Sequence, residues 1–336
     1  MQDTSGTLGA ETTGGVGKAM KLFLLGGATF GMMTFGAVGA HAQTADSVYG
    51  LTDAGELVAF DPSSPATVNA TVPVTGDASG DTILGMDFRP ATGELYAIGA
   101  SSTVYTVDPA TGVATTVGTT DPALEGSVLG FDFNPTADAI RVVTDAGQNL
   151  RLTDLDSELG TTVDGALAYD ESDENAGEQP AVVGAGYTNN VPDAEDTMLY
   201  DLDLATGDLV QQDANPGVLS TVGSVGVPFT ANTGFDISPD GAAYATLQPG
   251  EGQASSLYTI DLDSGAASEV GAIGGGLVVT GFAIPAGDAG MMTTGGAETA
   301  LPDTGGASAA AVAGAGLLAA GAATMLVLRV RRPDAR

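Results

Sequence analysis

Five short segments recur along the chain at nearly constant spacing. They are GMDF from Gly85, GFDF from Gly130, GYTN from Gly186, GFDI from Gly234 and GFAI from Gly281, with intervals of 45, 56, 48 and 47 residues. A period of this size describes one small supersecondary unit that cannot bury its faces alone, so successive units must pack on one another. The segments between repeats are runs such as ELYAIG, TVYTVD, AIRVVT, MLYDLD and SLYTID, rich in β-branched and aromatic residues. Turns of the form DPATG, DLATG and DLDSG separate them and supply a glycine for a left-handed position. No stretch between Ser47 and Ile284 keeps a helical period over three turns. Each unit therefore reads as four strands, the pattern of a propeller blade.

The two ends of this region complete each other. The last unit has only its first strand, GFAI, whereas the chain opens at VYGLT with a second strand. The expected fold is an all-β, five-bladed β-propeller over residues 43–284, closed by pairing of its N- and C-terminal strands. Closure removes free sheet edges. An acidic stretch at 169–180, YDESDENAGEQP, reads as a solvated loop inserted in the long second interval, with cation capture the lesser alternative.

Composition narrows the chemistry. Cysteine is absent and the single histidine, His41, lies upstream of the repeats. Acidic residues number 42 against nine basic ones, for a net charge of −33, and between Gln43 and Thr304 the only cations are Arg89, Arg141 and Arg151. A field of this sign repels nucleic acid phosphates and anionic lipid, so no nucleic acid partner is expected. The lack of lysine in this region fits life in concentrated salt, where screening lengths shrink to a few ångström. Nucleophiles that need His or Cys, Schiff-base lysines and ordinary zinc sites are all excluded from the mature region. Carboxylate chemistry and hard-cation binding remain.

The ends carry addressing signals. Residues 1–42 comprise an N-terminal extension and a signal peptide: Lys18 and Lys21 precede an apolar run that closes on Ala40-His41-Ala42, a small-x-small site that would leave Gln43 as the new terminus. Met20-Lys21 reads as a conventional start. Residues 285–300 are Gly-, Ala- and Thr-rich without strand pattern, a flexible linker. Leu301-Pro302-Asp303-Thr304-Gly305 follows, then 23 uncharged residues from Gly306 to Leu328, then Arg329, Arg331 and Arg332 within the 306–336 tail. The apolar run is long enough to span a bilayer as a transmembrane helix, and its cationic end stays on the cytoplasmic side. LPDTG in this order resembles the cell-wall sorting signal read by sortase transpeptidases. That resemblance implies cleavage between Thr304 and Gly305 and amide linkage to peptidoglycan; a retained membrane anchor is the alternative. Either places the chain at the cell surface.

GMDFRPATGELYAIG and GFDFNPTADAIRVVTDAGQNLRL, with PALEGSVLG between them, resemble the bacterial secreted family known as domain of unknown function 4394. The likeness covers roughly residues 47–284 and implies a fold and a secreted context without a mechanism. One departure is Ala139, where the family tends to place a basic residue before the Ile140-Arg141 pair.

Two clusters are candidate sites. Asp87, Asp132 and Asp236 occupy the same slot in three first strands, which line the channel of a propeller. They would suit Ca²⁺, or serve as structural hydrogen-bond brackets. Arg141 and Arg151 flank DAGQN; a tight loop with Gly147 left-handed sets them opposite each other, beside Asp132, with Gln148 and Asn149 adjacent. Salt-bridge scaffolding and a ligand site are the two readings. DLDLATGD from Asp201 has D-x-D spacing but lacks the oxygen ligand, glycine and glutamate of an EF-hand at Ala205, Thr206 and Gln212, and reads as a hairpin turn. No catalytic residues and no obligatory cofactor are assigned. A non-catalytic surface binding or structural module is the expectation. The alternatives are a carboxylate-based, Ca²⁺-dependent hydrolase of extracellular glycans, for which the lack of Trp leaves fewer sugar-stacking platforms, and an acidic hydrated coat.

Overall fold

A computed structural model describes residues 47–286, which form five antiparallel sheets arranged as the blades of a propeller. Blade 1 runs from Val279–Ala283 at the axis through Val48–Thr52 and Glu56–Phe60 to Val68–Pro73 at the rim. Blade 2 uses Ile83–Phe88, Leu95–Gly99, Thr103–Val107 and Val113–Thr119, and blade 3 uses Leu129–Asn134, Ala139–Thr144, Asn149–Thr153 and Gly160–Val163. Blade 4 is built from Val182–Tyr187, Leu199–Asp203, Asp208–Asp213 and Val218–Ser224, and blade 5 from Thr233–Ile237, Ala243–Leu247, Ser256–Ile260 and Ala267–Ala272. Among the described residues there is no α-helix, hence none long and apolar enough to cross a membrane. The signal peptide, nearly all of the linker, the LPDTG motif and the apolar tail lie outside the described residues.

Ring closure follows the sequence count. Tyr49 pairs with Ala283, Gly50 with Phe282 and Leu51 with Gly281, so the GFAI strand lies against VYGLT. Because each blade is sandwiched between two others, its inner strands are buried on both faces; Ala139–Thr144 and Val182–Tyr187 are buried throughout. Rim strands such as Val68–Pro73 instead alternate between half-buried and exposed residues.

The repeated glycine has a packing cause. A Cβ on Gly85 would sit 2.7 Å from Phe131 Cβ, one on Gly130 would sit 2.5 Å from Ala185 Cβ, and one on Gly234 would sit 2.5 Å from Phe282 Cβ. Each glycine thus receives the residue that follows the equivalent glycine of the next blade. In blade 4 that equivalent is Gly184, against Phe235 Cβ at 2.9 Å, and not the Gly186 of the GYTN motif. Strand register agrees: Gly186 pairs with Tyr200 just as Asp87 pairs with Tyr96 and Asp236 with Tyr244. The repeat is therefore Gly85, Gly130, Gly184, Gly234 and Gly281, and Gly186 fills the aspartate slot.

Two rims gain a fifth, parallel strand. Thr75–Gly76 pairs with blade 2 at Val113, and Ala168–Tyr169 pairs with blade 4 at Val218. The acidic insertion is accordingly tied down where it leaves this strand: both Asp173 carboxylate oxygens accept from Thr221, and Asn175 donates to Asp208 and Thr221. Asp201–Asp208 forms the hairpin between the second and third strands of blade 4.

Candidate functional site

The aspartate slot places Asp87, Asp132 and Asp236 around the ring axis, with one carboxylate oxygen of each within 4.8 Å of the others. All three are buried. Their hydrogen bonds form a closed pattern. Asp87 Oδ2 accepts from the Phe133 N–H of blade 3 (2.8 Å), Asp132 Oδ1 from the Tyr187 N–H of blade 4 (3.0 Å), and Asp236 Oδ2 from the Ile284 N–H of blade 1 (2.6 Å). Blades 1 and 4 carry Ala283 and Gly186 in the slot and offer no such acceptor to the blade that follows. There the following aspartate serves its own strand: Asp87 Oδ1 accepts from Phe88 N–H (2.7 Å) and Asp236 Oδ1 from Ile237 N–H (2.5 Å). Five inward N–H groups, one per blade, thus meet five of six carboxylate oxygens. The sixth, Asp132 Oδ2, is buried without a partner.

Burial, then mutual repulsion, raises the proton affinity of this trio. Asp87 is held well above the ordinary carboxylate range by desolvation and by Asp236, and Asp132 by desolvation, Asp87 and Asp236. Burial pushes Asp236 up to about 7. Among the described residues none of the three forms an ion pair with an arginine.

Three of the brackets therefore join neighbouring blades, and two are made to the next residue of the aspartate's own strand. Where Gly85, Gly130, Gly184, Gly234 and Gly281 converge lies a void of about 20 Å³, close to the space of a single water. At the N-terminal ends of the axial strands, the mouth of the ring, lies a depression of about 500 Å³ lined by Thr52, Asp53, Asp81, Ser127, Asn232 and Thr280 over apolar Leu51, Ile83 and Leu84.

The arginine cluster forms between blades 3 and 4. Arg141 pairs with Arg151 on one side and Asp132 on the other, and Gly147 takes φ +81°, as its spacing requires. The Arg141 guanidinium donates to Asn149 Oδ1 (2.7 Å), Asp164 Oδ2 (2.8 Å) and Asn215 Oδ1 (3.0 Å), and through Nε to the Tyr187 hydroxyl (3.4 Å). Arg151 shares Asp164 at 3.3 Å. Asn149 closes the network on the carbonyls of Gly165 and Ala214. Gln148 is not part of it; its amide donates to the Ala123 carbonyl and accepts from the Glu125 N–H, fixing the neighbouring loop. Like charges side by side are thus offset by one shared carboxylate and three amide or phenol groups.

Sequence reasoning missed the residues facing this cluster from blade 4. Asp201 is completely buried with both oxygens unpartnered, and Gln212 leaves Oε1 unpartnered. Burial, offset by Arg141 and reinforced by Asp203, holds Asp201 well above the usual carboxylate range. Tyr187 is likewise raised by burial. The available signal was the alternation of MLYDLD, which sets Asp201 on the same face as Leu199 and beside Val210. The third arginine, Arg89, bridges blade 2 to blade 3 by a double contact with Asp138 (2.6 and 2.8 Å) and another with Asp156 (2.7 Å).

The family described as Domain of unknown function (DUF4394) matches residues 56–283, the whole ring apart from its first strand and the loop after it. The chain belongs to the DUF4394 family. A search of curated proteins finds no match. Among solved structures, this DUF4394 chain is similar to a structural genomics protein of unknown function from Bacteroides thetaiotaomicron (16% identity, 67% of this chain and 60% of that one, TM-score 0.44). It is also similar to YCF48 bound to D1 peptide (13%, 66% and 63%, 0.36) and to hydrazine synthase of Kuenenia stuttgartiensis (16%, 57% and 49%, 0.36). In each case it spans less than two thirds of the structure it matches.

Proposed function

We propose that this DUF4394 propeller is a non-catalytic binding module, displayed outside the cell, that takes a hydroxyl- or amine-rich ligand such as a glycan at the wide mouth of its channel. The observation that carries this reading is the fate of the axial carboxylates. A glycosidase needs two carboxyl groups flanking a reachable bond. Here all three are only 1–2% exposed and are committed to backbone N–H groups. The mouth, in contrast, combines apolar floor residues with hydroxyl, amide and carboxylate groups, the usual make-up of a ligand depression. Export and attachment to peptidoglycan by a sortase rest on the sequence at Ala40–Ala42 and Leu301–Gly305, with a retained membrane helix as the competing form of tether.

A glycan and wall-polymer screen tests the binding reading, with Asp53→Ala/Asn232→Ala as the probe. Loss of binding by roughly tenfold or more, with an unchanged melting temperature, is expected. Turnover of any glycan that disappears in Asp236→Asn would overturn it.

A further inference from the structure

We propose that Asp87, Asp132 and Asp236 hold one hard divalent cation of the calcium class at the axis of the ring, anchored by Asp132 Oδ2. The proposal stands apart from the ligand reading at the mouth, because none of the three aspartates lines that depression. Its first support is geometric. Three oxygens within 4.8 Å of one another have a common centre no farther than about 2.8 Å from each. That reach takes in the 2.3–2.6 Å of Ca²⁺–oxygen bonds, and Ca²⁺ tolerates the irregular geometry that Mg²⁺ does not. An all-carboxylate donor set suits a hard cation and gives zinc no nitrogen or sulfur.

The second support is the orphaned oxygen. Asp132 is 2% exposed, and its Oδ2 has no hydrogen-bond partner although every inward N–H of the five strands is already used. A buried charged oxygen without a partner is costly, and an ion is one of the few things that resolves it. The five N–H bonds do not compete with the ion, because each carboxylate oxygen keeps a second lone pair. They orient the oxygens, as outer partners do at metal sites. No arginine pairs with the trio, so its oxygens are open to an external cation. The small void at the glycine ring leaves room for one water on the approach side.

The cation joins blades. Asp87 reaches blade 3, Asp132 blade 4 and Asp236 blade 1, so one ion links all three inter-blade brackets.

The test uses the purified protein with Ca²⁺, in 0.5 M salt to suppress weak binding by its acidic surface. Equilibrium dialysis should find one tight Ca²⁺ per chain, and Tb³⁺ should take its place with emission sensitised by tyrosine, since the chain has no tryptophan. Chelation should lower the melting temperature by about 5 °C or more. Asp132→Asn keeps an acceptor for the Tyr187 N–H but should weaken the site by more than roughly tenfold, while Asp170→Asn in the exposed acidic loop should leave it intact. If Asp132→Asn does not fold, the wild-type stoichiometry decides. No tight ion, a melting temperature indifferent to chelator, or equal losses in the two variants would overturn the proposal.

Discussion

The two faces of blade 3 are built from alternate residues of the same strands, yet they are held in different ways. Toward blade 2 the blade presents Phe131, Phe133, Ile140, Val142, Leu150 and Leu152, packed with Tyr96 and Ile98 into an apolar cluster. Toward blade 4 it presents Asp132, Arg141, Asn149 and Arg151, met by Asn215, Tyr187 and the unpartnered Asp201. The first interface is non-directional and indifferent to pH. The second depends on every partner being present, because a buried polar group left alone is expensive. One sheet thus carries an unconditional seam and a conditional one.

The largest contrast comes from removing a single partner on the polar side. Arg141→Ala leaves Asp164, Asn149 and Asn215 without their shared donor; the Arg141–Asp164 pair is 2% and 9% exposed, so a loss of about 3–5 kcal/mol is expected. Urea unfolding measures it, and a loss below about 1 kcal/mol would show that the polar seam carries no load. Next in size, Leu150→Ala on the apolar face should cost about 3 kcal/mol through lost burial and a residual cavity, equally at pH 5 and pH 8. A pH-dependent cost there would erase the distinction between the faces.

The smallest effect sharpens the comparison most. Asp201 binds its proton more tightly folded than unfolded, since burial and Asp203 outweigh Arg141. The folded state therefore carries more protons than the unfolded one above the ordinary carboxylate range, and stability falls as pH rises. Its contribution is fully present in acid and is lost progressively toward neutrality and beyond. With divalent ions chelated, the melting temperature should fall between pH 5 and pH 8, and Asp201→Asn should reduce that slope while raising the value at pH 8. A steeper slope in the variant would place the titration elsewhere.

These contrasts also mark what could be read from residues alone. Strand count and closure were legible because glycine, an aromatic and aspartate recur at positions fixed by blade-to-blade approach. Blade 4 was misaligned by two residues because GAGY offers two glycines and an aromatic follows the second, while the true glycine, Gly184, is followed by Ala185. The arginine pair was legible from hairpin arithmetic. Its acidic partner Asp164 and its amide partner Asn215 were not, since they arrive from loops 23 and 74 residues away. Asp201 was masked by composition: in a chain with 42 acidic residues, the alternation of MLYDLD was the one mark that set it apart from its exposed counterparts.

The seam between the first and last described strands has a kinetic corollary. Leu51 and Thr280 meet across a sequence separation of 229 residues, so Val48–Thr52, buried at every position, has no partner on its axial side until nearly the whole ring has been made. Contacts of such range form slowly. During synthesis that apolar edge is a template for pairing with other nascent chains, and a truncation ahead of Val279 would leave it permanently open.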